Sequence, residues 1–176
     1  MDLKYKITFL DYWHTSSGLS AGAKLDSSVV KDSDELPYLS GKTIKGLTRE
    51  MVNLFEDSSF EEMCFGKEGI DMGNCYFTNA ILDEQEKKEI VSNRLRNNLY
   101  ATLASTQIDS NGIAVDDSLR EIEVVIPMIL EGEILDIPSQ EDCDKLKKSL
   151  TMIKRMGLNR NRGLGRCEFK EIECKN

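Results

Sequence analysis

The order in which two kinds of apolar spacing occur constrains this chain more than any other feature. LKYKITFLDYW, residues 3–13, alternates polar and apolar positions for most of its length, as a half-buried strand does. Ile44, Leu47, Met51, Val52 and Leu54 then recur near the helical period, which predicts a helix over Thr43–Leu54 with Thr43 as N-cap. CYFTNAIL, from Cys75, reads as a second strand and Glu123–Leu135 as a strong third. SQEDCDKLKKSLTMIKRMG opens with Ser139 and acids, sets Leu146, Leu150 and Ile153 on one face and ends in basic residues and a glycine. That is a capped helix aligned with its macrodipole. RCEFKEIECK closes as a last strand. The expected class is therefore α+β, a split β-α-β arrangement of ferredoxin type with a βαββαβ core.

Between these elements the signals are weaker. SSGLSAGAKLDSSVVKDSDEL reads as loop with a short extended piece at Ser28–Lys31, and Phe60–Gly73 as a turn or short helix and a loop. Residues 83–98 show no core face and are expected as an exposed helix or a mobile loop; Ser110–Gly112 marks the turn of a long hairpin. At 176 residues the chain supports one core, so residues 1–176 are expected to form a single domain. No apolar run matches a bilayer and the first residues build no signal-peptide core, which predicts a soluble, cytoplasmic protein with no membrane partner. The five cysteines are odd in number and form no C-x-x-C pair, so reduced, half-buried thiols are expected. Cys64, Cys75 and His14 fit no zinc ligand spacing.

A net charge of −8 disfavours unaided, non-specific nucleic-acid binding, but the charge is segregated. From Lys154 to Arg166 the chain carries five basic residues and no acid, whereas Asp109–Asp136 is dominated by carboxylates, with Arg120 the basic exception. Such polarity suits a part that meets an anion on one face and cationic neighbours on others.

Two glycine-and-cation segments supply candidate anion sites. Gly41-Lys42-Thr43 ends like a nucleotide-binding P-loop, but position 36, where that motif needs glycine, is Leu. What remains is a turn opening a helix, whose free N–H groups and dipole attract anions, with Lys42, Lys45 and Arg49 nearby. An ordinary tight turn beside a solvated face explains the same residues. In KRMGLNRNRGLGRCEF, Gly157, Gly163 and Gly165 permit close approach or positive φ, and the interleaved arginines suit phosphate. A plain connection between helix and strand is the alternative. Taken together, the two segments point to a nucleic-acid backbone held in a cradle that both would line.

With these residues in view the chain resembles the RAMP superfamily of CRISPR systems, most closely the backbone subunit of type III effector complexes. The likeness rests on WHTSSGLSAG, AKLDSSVVKDSDELPYLSGKTIKGLTRE, CFGKEGIDMGNCYFTNAIL and GLNRNRGLGRCEF. Ser40, where the family usually has proline, the short length and the acidic charge are departures. The resemblance implies an RRM-like fold with insertions, including a thumb hairpin over Ala101–Glu121 with Ile108 or Leu119 as wedges. It implies RNA contacts by His14, Lys42, Thr43, Lys45, Arg49, Arg160, Arg162, Gly163, Gly165 and Arg166. Partners would be guide RNA, target RNA, other RAMP-type subunits, the large subunit of the complex and further copies stacked in a filament. Asp26 takes the position at which catalytic members support metal-dependent cleavage of target RNA, with Mg2+ or Mn2+ as the cation. Two other readings stay open: an RNA-binding subunit without chemistry, and a metal-free guide-processing endonuclease using His14 as general acid or base.

Overall fold

The computed structural model describes residues 1–16, 18, 26–56, 58–67 and 72–175. Its elements are β1 (Asp2–Phe9), α1 (Gly41–Val52), α2 (Ser58–Phe65), β2 (Tyr76–Phe77), α3 (Glu84–Ser92), β3 (Tyr100–Ser105), β4 (Arg120–Val125), β5 (Ile129–Leu135), α4 (Gln140–Met152) and β6 (Cys167–Lys175). A four-stranded antiparallel sheet has the order β2-β5-β1-β6. That order, with α1 between β1 and β2 and α4 between β5 and β6, is the ferredoxin-like βαββαβ core expected from the spacing. Alternation in β1 sends Leu3, Tyr5, Ile7 and Phe9 into the core. Lys4 and Lys6 face out, paired with Glu133 and Glu131 across the β1/β5 register. Against the inner face pack Ile44, Leu47 and Val52 of α1 and Cys143, Leu146 and Leu150 of α4.

Two boundaries differ from the sequence reading. The N-cap of α1 is Ser40, not Thr43: the Ser40 hydroxyl accepts the Lys42 N–H, and the helix begins two residues earlier than Thr43. Glu123–Leu135 is not one strand. It divides at Ile126-Pro127-Met128, because Pro127 has no N–H to donate and the chain passes there from one sheet to another. β3 and β4 form a separate two-stranded sheet, registered from Tyr100↔Val125 to Ser105↔Arg120. Trp13 joins the two sheets: it stacks on Phe9 at 4.4 Å, forms a bridge with Val125, and its indole N–H donates to the Ile126 carbonyl at 3.2 Å.

The expectation of uniformly reduced thiols is also corrected. Cys143, wholly buried on α4, is disulfide-bonded to Cys174 near the end of β6; Cys64, Cys75 and Cys167 are free and buried. Spacing could not show the pairing, because it depends on α4 lying across the edge strand. Burial pushes the Cys167 thiol up to about 12. The bond closes a loop with a sequence separation of 31, so reduction is expected to lower unfolding free energy by roughly 3–4 kcal/mol. Urea midpoints with and without reductant measure this, and coincident midpoints would refute it.

Candidate nucleic-acid interface

Asp26 lies beside the loop end of the β3/β4 ladder and is exposed. Its N–H donates to the Glu121 carbonyl at 2.9 Å, and its carboxylate accepts the Glu121 N–H at 2.8 Å. The Ser27 carbonyl takes the Glu123 N–H at 3.1 Å, and Ser27 bridges Ile122 in parallel. Residues 26–27 thus extend the hairpin's open edge by a short third strand. The Glu123 carboxylate anchors the adjoining residues, accepting from the Val29 N–H at 3.0 Å and pairing with Lys31 at 2.8 Å. Asp32 forms the turn its type predicts, accepting the Asp34 and Leu36 N–H groups.

His14 is wholly buried behind this edge. Its Nδ1 faces the Glu123 carbonyl at 2.5 Å and its Nε2 the Ser27 hydroxyl at 3.0 Å. A carbonyl only accepts, so Nδ1 donates to it, and in the neutral ring Nε2 is left to accept from the Ser27 hydroxyl. The backbone of His14 serves the glycine-rich loop too, its carbonyl accepting the Leu158 N–H at 2.9 Å. The His14 ring has no exposed surface and both nitrogens are engaged within the protein. It braces the Asp26 segment, β4 and the loop against one another.

The glycine-rich loop spans residues 157–165, and its glycines divide into two kinds. A Cβ on Gly157 would stand 2.2 Å from the His14 carbonyl oxygen, and one on Gly165 would stand 1.9 Å from that of Met156. Both positions need glycine for packing, and Gly165 is buried, so it is not placed as an RNA contact. Gly163, at φ +93 with nothing within 4 Å of a built Cβ, is the open one. Arg160 lines a hollow of about 250 Å3 with Leu47, Glu50 and Met51 of α1. Arg162 lines a separate cleft with Ser105, Gln107 and Arg120 at the loop end of the β3/β4 ladder. Arg166 is held by Asp11, its Nε 3.1 Å from Oδ2.

At the start of α1 the first backbone donors already have partners within the protein. The Gly41 N–H donates to the Asn79 side chain at 3.0 Å, that of Lys42 to the Ser40 hydroxyl and that of Thr43 to the Ser40 carbonyl. No first-turn donor among these is left for a phosphate. Gly41 is required instead by the β2 backbone, since a Cβ would stand 2.1 Å from the Phe77 carbonyl oxygen. Arg49 is ion-paired to Glu61 of α2 at 2.5 Å. Lys42 is exposed and Lys45 half-buried, and Lys42 lies about 14 Å along the helix from Met51, where the glycine-rich loop arrives. The loop therefore meets the second half of α1 rather than its first turn.

A family model of the RAMP superfamily matches residues 6–168. The chain belongs to the RAMP superfamily. No curated protein matches it. This RAMP chain is similar, at 12% identity and a TM-score of 0.77, to a chain in a cryo-EM structure of the Type III-B Cmr-beta bound to cognate target RNA, covering 97% of this chain and 96% of that one. It is similar to a chain of the apo Type III-B Cmr-beta at 12% identity and TM-score 0.72, with the same coverage. At such identity the likeness is one of fold.

Parts of the stretches that carry the family resemblance, residues 17, 19–25 and 68–71, lie outside the described residues. Among the described residues of this RAMP chain, Asp26 lies against Glu121, and the neighbouring Arg120 lines a cleft with Arg162 of the glycine-rich loop. The hairpin projects with Ile108, Ile113 and Leu119 exposed, the first and last being the expected wedges. Sequence reasoning overlooked Ser27 and Glu123, which hold the Asp26 segment in place.

Proposed function

We propose that this RAMP protein is an RNA-binding subunit of a CRISPR type III effector complex that holds guide RNA and cuts target RNA at Asp26. One observation carries the reading: an exposed carboxylate, fixed by reciprocal hydrogen bonds to Glu121, stands beside the end of the β3/β4 ladder from which residues 106–119 leave. Cleavage of this kind uses the ribose 2'-hydroxyl beside the scissile phosphate as nucleophile, so a proton must leave that oxygen and negative charge on the phosphate must be stabilised. The likeness of fold to Type III-B Cmr-beta chains and the family membership support the assembly, with guide RNA, target RNA and other RAMP-type subunits as partners.

A divalent cation fits the donor set in one way. Among the described residues no three His, Cys, Asp or Glu side chains gather as a metal site, so the protein would contribute Asp26 alone and water and phosphate oxygens the rest. Mg2+ and Mn2+ accept such oxygen shells, and when bound the ion would supply charge stabilisation at the phosphate. Asp26 meanwhile keeps its position through Glu121 and, behind it, His14. Chelation decides the point: EDTA is expected to stop target cleavage by the assembled complex while RNA remains bound. Cleavage that persists in EDTA removes the metal from the reading, and RNA binding with no cleavage under any divalent ion leaves a structural subunit.

A further inference from the structure

Away from the interface, the three free thiols are of two kinds. Cys167 is buried on β6, and burial is the main cause of its raised pKa. Cys64, in the last turn of α2, and Cys75, immediately before β2, are buried as well, but their thiols are hydrogen-bonded to each other.

The chain builds that contact through one glycine. A Cβ on Gly73 would stand 2.4 Å from both the Cys64 carbonyl oxygen and the Gly66 nitrogen, so glycine is what lets the backbone pass this close to the end of α2. From there the Asn74 N–H donates to the Met63 carbonyl at 2.9 Å and the Cys75 N–H to the Cys64 carbonyl at 3.2 Å. Two successive backbone hydrogen bonds thus set the cysteines side by side. A bond between sulfurs already in contact needs no movement of the backbone. The contact also makes the pair unequal: the hydrogen bond raises the pKa of Cys64 and lowers that of Cys75, which is therefore the readier nucleophile.

We propose that Cys64 and Cys75 are an oxidation site, at which hydrogen peroxide converts the two thiols to a second disulfide of the folded protein. It stands whether or not the protein cuts RNA. Cys75, as thiolate, attacks one peroxide oxygen; the O–O bond breaks, and the departing hydroxide takes up the proton Cys75 gave up, leaving as water and Cys75 as a sulfenic acid. The Cys64 sulfur then attacks the Cys75 sulfur. As the S–S bond forms the S–O bond breaks, and the hydroxyl leaves with the Cys64 proton as a second water. The two thiols lose two electrons and the peroxide gains them. Both thiols are buried, so a molecule little larger than water suits the site where a bulky disulfide reagent does not.

The test is mass spectrometry of the folded, full-length protein after exposure to hydrogen peroxide, with the remaining thiols alkylated in denaturant. Trypsin cuts after Lys67, so a bond from Cys64 to Cys75 joins two peptides. The wild-type protein is expected to lose alkylation at both cysteines together and to yield the joined peptides at two hydrogens less than their sum. Cys167, as deeply buried, is expected to stay alkylated. C64S removes the second thiol and is expected to hold Cys75 as a sulfenic acid that dimedone traps, an adduct the wild type does not accumulate. Full alkylation of Cys64 and Cys75 after peroxide overturns the proposal, as does a folded C64S that forms no adduct. Oxidation of Cys167 to the same extent as the pair overturns it too, since that marks entry by unfolding. The wild-type readings stand without the variant, so poor folding of C64S hides nothing.

Discussion

Replacing Asp26 by Asn is expected to lower target cleavage by the assembled complex at least about 100-fold with RNA affinity unchanged. The substitution is chosen for what it keeps. The Asn side-chain oxygen can still accept the Glu121 N–H, and the Asp26 backbone N–H still donates to the Glu121 carbonyl, so the short edge strand stays in place. What disappears is the negative charge that would hold a cation and favour loss of a proton from the 2'-hydroxyl. D26A removes the side-chain brace as well, and comparison of the two separates charge from position. Single-turnover cleavage of a labelled target, measured beside its Kd, reads both. Wild-type cleavage by D26N would end the catalytic role of Asp26 and leave the protein as a scaffold for RNA.

Gly165→Ala is expected to destabilise the protein by about 3–5 kcal/mol, and Gly163→Ala by only about 1 kcal/mol. Both glycines have positive φ, +68 and +93, so each substitution carries backbone strain. Only at Gly165 does the new Cβ also meet backbone, 1.9 Å from the Met156 carbonyl oxygen. That segment cannot retreat cheaply, because the Met156 N–H donates to the Gly165 carbonyl at 3.0 Å and the Gly165 N–H to that of Tyr12 at 2.8 Å. Urea denaturation of the two variants gives the comparison. Equal losses would mean that positive φ alone governs the loop and that its packed and open glycines are not distinct.

Local pattern carried much of the fold because its physics is local. Strict alternation in Leu3–Phe9 and the helical recurrence of Leu146, Leu150 and Ile153 each reported a buried face without any knowledge of its partner. Pattern failed where a boundary depended on something across the molecule. Glu123–Leu135 alternates on both sides of Pro127, yet its halves belong to different sheets. Gly41 and the lysines near it carry the composition of a phosphate-binding turn, but Asn79 and the β2 backbone occupy that helix end. His14 offered no local sign of burial, since what encloses it comes from residues 27 and 123.

The amino-acid order alone determined the succession of amphipathic segments, hence a four-stranded antiparallel sheet with two helices on one face, and it marked a cationic glycine loop and an aspartate of interest. Only the tertiary structure decided which of these meet. Asp26 reaches Glu121 across 95 positions and His14 reaches Glu123 across 109. Hydrophobic periodicity states which side of a segment seeks burial, but the partner it finds there is set by the packing of the whole chain, through contacts that no local spacing encodes.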